Sequence, residues 1–333
     1  MTAAGRVRIL DPRGRLFELA RRGRRTTYPL AAVALAYIYL WASTMLGGLV
    51  GRFLGLADPV AGYPSPWASG LRLTGWLLLR FVPLAAFAAA WVWSHEQRPF
   101  RTMGLERPHA LRHYVRGFLV GVAMFAAVVG LLALFGRVSA GYGDPTGHGL
   151  YALGPALFVY LGWTVQGPAE EILTRGWLLP VIGVRWGPWA GVVLSSAAFS
   201  AFHALNHGIS VLPLVNLFLS GVFFALYALW EGSLWGVCAL HAAWNWSQAN
   251  LFGFSVSGSG GGPGGALLDL SSWGSSWVTG GSFGPEGGVA DTVVEMGGIL
   301  VMVFLLWRRT RAARPDDHLS AVPPHDAGGT VLT

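Results

Sequence analysis

The chain contains no lysine, a single cysteine and few charges of either sign. All 23 basic residues are arginine, and together with abundant Ala and Gly this bias suggests a GC-rich bacterial genome. The lone Cys238 excludes a disulfide framework within one chain; lying in an apolar run, it reads as a small packing residue. Charged residues make up 12%, about half the roughly 25% usual in soluble domains. With 53% of 333 residues hydrophobic, a soluble protein would require a core larger than this chain can enclose. No internal repeat is visible. No cleavable signal peptide is apparent, because the first apolar run starts near Pro29 behind an Arg-rich leader and is too long for a signal h-region.

What is present is long apolar segments. A span requires ~20 mostly apolar residues, which predicts about eight: 29–50, 73–94, 114–136, 150–182, 187–207, 209–229, 233–253 and 292–308. The expected fold is an all-α polytopic transmembrane helical bundle. A basic cytoplasmic segment (1–28) precedes the membrane domain (29–310), and a polar, disordered cytoplasmic tail (311–333) follows it. The fourth segment is too long for one simple crossing, so a kink at Gly167-Pro168 or an extension beyond the bilayer is expected.

Arginine placement sets the orientation. Arg6, Arg8, Arg13, Arg15, Arg21, Arg22, Arg24 and Arg25 precede the first span. Arg98, Arg101, Arg107 and Arg112 follow the second, and Arg308, Arg309, Arg311 and Arg314 follow the last. An even number of spans puts all three groups, and both termini, in the cytoplasm. The opposite loops hold Asp58, Asp144, Asp269, Glu286 and Asp291. The basic leader thus reads as a topology signal, and no nucleic-acid partner is expected. The segment 253–291, rich in Gly and Ser, reads as an external loop whose Trp273 and Trp277 meet the interface.

One stretch stands out chemically: Gly167-Pro168-Ala169-Glu170-Glu171-Ile172-Leu173-Thr174-Arg175-Gly176. A charge within a bilayer costs about 2.5–3.5 kcal/mol even on insertion scales, so adjacent carboxylates there require partners. Glu171 and Arg175 are four apart on one helix face, acid before base, the favoured order for an ion pair. Glu170 points roughly 100° away and is free to face a cavity as a general base. The alternative is a purely structural ion-pair network.

The turn Gly183-Val184-Arg185-Trp186-Gly187-Pro188 should join the fourth and fifth spans, and the midpoint of 170 and 203, 186.5, falls in it. An antiparallel hairpin would bring Glu170 and His203 to similar depth. Phe199 and His203, and His241 and Asn245, are again four apart. An imidazole with an amide can polarise a carbonyl or hold an oxyanion. His207, beside Asn206 and Gly208, reads instead as a helix-end residue. Glu170, His203, His241 and Asn245 should converge on one polar cavity open toward the cytoplasm. Arg80, within Leu77-Leu78-Leu79-Arg80-Phe81-Val82-Pro83, should face inward, with Glu295 as one candidate partner.

Zinc is the competing reading, since His203 and His207 have the spacing of two ligands and Glu170 or His241 could complete a set. Ala204-Leu205-Asn206 between them lacks the glutamate of the helical H-E-x-x-H signature, so no cofactor is expected. A proton-relaying transporter would call for paired broken helices in two halves, and only one half here is polar.

Glu170-Glu171-x-x-x-Arg175, Phe199-x-x-x-His203 and His241-x-x-x-Asn245, in that order within apolar spans, resemble the three motifs of the CPBP family. These intramembrane proteases are typified by type II CAAX prenyl endopeptidase and are called Abi proteins in bacteria. Ser233-Leu234-Trp235 and the loop Gly280–Gly287 resemble family patterns too. The motif core spans 155–250. The resemblance implies an intramembrane glutamic endopeptidase, although the family was long grouped with metalloproteases. It implies that Glu170 and His203 activate water, that His241 and Asn245 form the oxyanion hole, and that Glu171 and Arg175 support them. The implied partner is a membrane-embedded or membrane-proximal peptide or protein within the lipid bilayer. The prenylated C-termini cut by eukaryotic members are not carried over to a bacterial chain. A non-catalytic scaffold or bacteriocin-immunity-type protein is the alternative within the same family.

Overall fold

A computed structural model describes residues 9–56, 65–141, 148–259 and 265–312. The expected disordered tail from residue 313 onward lies outside the described residues, as do Arg6, Arg8, Asp58, Asp144 and Arg314. The chain folds as a helical bundle: α1 (Arg15–Arg21), α2 (Pro29–Phe53), α3 (Pro66–Ser94), α4 (Ala110–Leu134), α5 (Leu153–Glu171), α6 (Leu179–Trp186), α7 (Pro188–Phe202), α8 (Val211–Glu231), α9 (Trp235–Trp246), the single turn α10 (Ser276–Thr279) and α11 (Val289–Ala312). A short antiparallel pair, β1 (Val138–Ala140) with β2 (Leu270–Ser272), ties two loops together.

Five helices are long and apolar enough to cross a membrane: α2, α3, α4, α8 and α11. The protein is a multi-pass membrane protein. The remaining expected spans are shorter or interrupted. The helix beginning at Leu153 continues through Pro168 to Glu171, turns π-helical over Ile172–Leu178 and resumes as α6. The helix thus passes through Gly167-Pro168, where a kink was one expectation, and its irregularity comes after the glutamates. α7 has 15 residues, and α9 ends in a π-helical turn, Ser247–Leu251. These segments form the inside of the bundle, and Gly236 through Trp246 of α9 are all buried.

Small residues let the inner helices approach. A Cβ on Gly117 of α4 would lie 1.9 Å from the Gly236 carbonyl oxygen of α9, and one on Gly121 would lie 2.4 Å from that of Leu240. α5 packs on both α3 and α9, α7 on α8, and α11 on α8. Cys238 is buried and free within the core cluster, as expected of a packing residue.

The bundle has two faces. One carries α1, the 95–109 connection, the turn at Gly187, the α8–α9 connection and the end of α11. Its pieces are cross-linked by Arg15 to Glu106 (2.7 Å), Arg185 to the Thr26 carbonyl (3.1 Å) and Arg309 to the Trp230 carbonyl. The expected basic leader is more than a charge signal here, because Leu16, Phe17 and Leu19 of α1 are buried against α6. Arg98 is equally buried, bonded to Glu96 at 2.7 Å, and Glu96 also accepts from Thr27 Oγ1 (2.7 Å) and Trp177 Nε1 (3.0 Å). The other face carries the loop after α7, β1, β2 and the Gly-rich loop between α9 and α11. There Asn206 donates to the Ser257 carbonyl and Gly258 N–H to the Phe283 carbonyl, both at 2.9 Å.

Gly117→Val should lower stability by about 1–3 kcal/mol or more through overpacking. Gly130→Ala, where an added Cβ meets nothing within 4 Å, should be neutral or stabilising. Thermal unfolding of both variants in detergent checks the α4–α9 contact.

Candidate active site

The two glutamates lie in the last turn of α5, where α9 comes close. A Cβ on Gly167 would stand 2.9 Å from Ala242 N, so glycine there admits the α9 backbone and sets Glu170 and Glu171 beside His241. The π turn follows at once, and Thr174 Oγ1 donates to the Glu170 carbonyl at 2.6 Å. Such turns relax the regular helical hydrogen-bond ladder and recur at functional sites.

Arg175 is fully buried. Its NH1 donates to Glu171 Oε1 (2.9 Å) and Thr174 Oγ1 (2.8 Å), and its NH2 to the Gly221 carbonyl (3.1 Å). Its guanidinium also lies over the Phe199 and Phe224 rings, at 4.6 and 5.3 Å. Glu171 Oε1 accepts a second bond, from His241 Nδ1 at 2.9 Å. An ionised carboxylate only accepts, so Nδ1 of His241 carries the proton and Nε2 is turned to Glu170, 3.8 Å from its Oε2. His241 therefore bridges the two glutamates. This adds a contact to the expected role, because the imidazole lies beside the base as well as beside Asn245.

His203 caps the end of α7, just outside the helix, with its ring against Phe199. Its Nδ1 lies 3.0 Å from the Phe199 carbonyl. A carbonyl cannot donate, so Nδ1 is the donor and Nε2 of the neutral ring is left as an acceptor. Asn245 uses one amide hydrogen on Gln166 Oε1 at 2.7 Å and keeps the other.

All four expected residues, Glu170, His203, His241 and Asn245, line one cavity of about 320 Å³. The structure thus brings together the residues that the hairpin midpoint and the i, i+4 spacings selected. Glu171 and Arg175 stand behind the wall. The cavity does not open as expected. Leu84 and Leu173 line its end toward the face of the termini, and its exposed rim residues, His207 and Ser259, lie on the opposite face. The physical reason is helix direction: α7 runs away from the Gly187 turn, so its C-terminal end with His203 reaches the far face. His207 shares the rim and is not merely a helix-end residue.

Arg80 faces inward and lines the cavity, its guanidinium 5.1 Å from the Trp76 ring centroid and 5.7 Å from that of Phe81. Glu295 is not its partner; Glu295 accepts from Ser220 Oγ at 3.1 Å, while the acid whose charge is felt at Arg80 is Glu170. Gln166 and Glu286 also line the cavity. Gln166 was legible as a polar residue four before Glu170, and Glu286 as an acid in a Gly-rich loop, but neither spacing announces a site. Among the described residues, no three His, Cys, Asp or Glu side chains form a group placed to hold a metal ion.

The cavity thus gathers a carboxylate, two imidazoles and an amide within the bundle. Residues 152–247 match the family model of type II CAAX prenyl endopeptidase, Rce1-like. Over this segment the chain is similar to the CAAX-type proteases that the model describes, and the match supports the resemblance carried by the three motifs. The match spans all seven motif residues and leaves out Arg80 and Glu286. No curated protein and no solved structure matches the chain.

Arg175→Ala should cost about 3–5 kcal/mol, because it leaves Glu171 buried without its charge partner. Folded yield and thermal stability should both fall, with Arg175→Lys intermediate. Unchanged expression and melting of Arg175→Ala would show that the pair does not hold this region together.

Proposed function

We propose that the protein hydrolyses a peptide bond of a membrane-embedded or membrane-proximal substrate, as a glutamate-dependent endopeptidase without a bound cofactor. The observation that carries this reading is the pairing of Glu170 with His241 and His203 around one cavity. Glu170 Oε2 is buried and makes no hydrogen bond among the described residues, which suits a carboxylate that holds a water. His203 Nε2, left as an acceptor, is the second contact for that water. Water attacks the carbonyl carbon and its proton passes to Glu170. The remaining Asn245 N–H and His241 Nε2, when protonated, face the oxygen that gains negative charge. Glu171 holds the His241 tautomer, and Arg175 holds Glu171.

The arginine distribution supports placing the face with both termini in the cytoplasm, in a bacterial plasma membrane. The cavity then opens on the outer side, and water reaches the site from there. A substrate segment would have to be presented from that side or within the outer half of the bilayer.

The test uses purified protein in proteoliposomes with membrane-inserted reporter peptides, new termini being read by mass spectrometry. Glu170→Gln should lower cleavage by about 100-fold or more, the scale of general base catalysis, with its melting temperature unchanged. Equal cleavage by Glu170→Gln and wild type would overturn the assignment. Cleavage by neither would leave a binding scaffold. Elemental analysis with chelator titration runs alongside: activity should survive chelation, whereas stoichiometric zinc, with activity lost on chelation and restored by zinc, would make Glu170 and His203 metal ligands.

A further inference from the structure

We propose that Glu286, carried into the cavity by the loop between α9 and α11, is the acid that protonates the leaving amine nitrogen. This rests on the peptidase reading above and adds a residue from outside the three motifs.

Glu286 sits in the 3-10 turn Pro285–Gly287 and lines the same cavity as Glu170, His203 and His241. It is 8% exposed and held from two sides. Its backbone carbonyl accepts from Asn216 Nδ2 of α8 at 2.9 Å. Its Oε1 accepts both the Ser257 backbone N–H and Ser257 Oγ–H, the latter at 2.9 Å. Two donors on Oε1 leave the acidic proton, when present, on Oε2. Oε2 has no protein partner among the described residues, and it belongs to a side chain on the cavity wall. The unbonded oxygen of an acid on the cavity wall is the group we assign to the leaving nitrogen.

The surroundings favour the protonated form. Burial raises the Glu286 carboxyl above its ordinary range, while the Ser257 bonds and, when protonated, His203 and His241 pull it down. The Glu286 charge is in turn felt at two further buried acids of α11, Asp291 and Glu295. Neither Asp291 oxygen has a hydrogen-bond partner. Like charges held near one another in a dry site disfavour ionisation.

The step balances. Water forms the new C–O bond and loses a proton to Glu170. The C–N bond breaks and the nitrogen takes the proton from Glu286 Oε2. The products are a carboxylic acid and an amine. Glu170 is left protonated and Glu286 ionised, and one proton moving from Glu170 to Glu286 through cavity water resets both.

The test compares wild type, Glu286→Gln and Glu170→Gln on the same reporter peptides across pH. Gln keeps an oxygen for Ser257 but has no acidic proton. We expect Glu286→Gln to lower kcat by about 100-fold, leave KM and melting temperature unchanged, and remove the alkaline limb of the kcat profile. Infrared spectra with 13C-labelled glutamate should lose one protonated-carboxyl band in Glu286→Gln at neutral pH. A purely structural role would move melting temperature and leave the pH limb intact. Retained kcat with an unchanged alkaline limb, or no lost infrared band, would overturn the proposal. If Glu170→Gln is dead while Glu286→Gln cuts normally, only this proposal fails. If wild type cuts nothing, the peptidase reading fails, and the infrared measurement still decides whether Glu286 carries the proton. Should Glu286→Gln fail to fold, Glu286→Asp, which keeps an acid on a shorter arm, takes its place: a kcat and alkaline limb equal to wild type would overturn the assignment.

Discussion

The structure depends on one buried arginine. Arg175 is enclosed by α5, α7 and α8, and without it Glu171 would stand as an unpaired carboxylate in the bundle interior. An isolated charge in a low-dielectric medium shifts toward its neutral form. Arg175 gives Glu171 a charge partner, and Glu171, accepting from His241 Nδ1, in turn dictates which imidazole nitrogen carries the proton. The orientation of a group on α9 is thus fixed by a cation on the neighbouring crossing, two hydrogen bonds away. The aromatic rings of Phe199 and Phe224 complete the enclosure, and Phe199 also supplies the carbonyl that orients His203.

The inner helices are therefore coupled by polar contacts, while the outer ones are coupled by shape. α2, α3 and α4 present Leu49, Val82 and Leu119 to the outside. In lipid there is little hydrophobic gain from helix association, so small residues and interhelical hydrogen bonds do the joining. Gly117 and Gly121 against α9 serve the first purpose. Asn245 with Gln166, and Arg175 with Gly221, serve the second.

Much of this was legible in the residue order. Charges are so scarce in the apolar segments that Glu170, Glu171, Arg175 and Arg80 marked themselves, and helical spacing paired Glu171 with Arg175. The hairpin midpoint placed Glu170 and His203 on one cavity. The direction of opening was not legible from the motif, because depth along a span says nothing about which end is plugged; Leu84 and Leu173 decide that only once folded. The partner of Arg80 was misjudged toward Glu295 because sequence cannot say which face of α11 meets α8. Glu286 stayed hidden because a loop of Gly and Ser has no period, and only the backbone path through Ser257 and Asn216 brings that acid inward.

The π-helical turn at Ile172–Leu178 has a consequence for how one crossing serves two neighbours. Each residue added to a helical turn rotates everything beyond it by roughly 100°. The segment before the turn can thus be phased for the cavity, with Gln166 and Glu170 inward. The segment after it is phased separately, with Gly183 close against the Phe17 ring of α1. A single-residue deletion within 172–178 would leave the composition almost unchanged. It would put these two surfaces out of phase, so that either the cavity wall or the seat of α1 could form on this crossing, but not both.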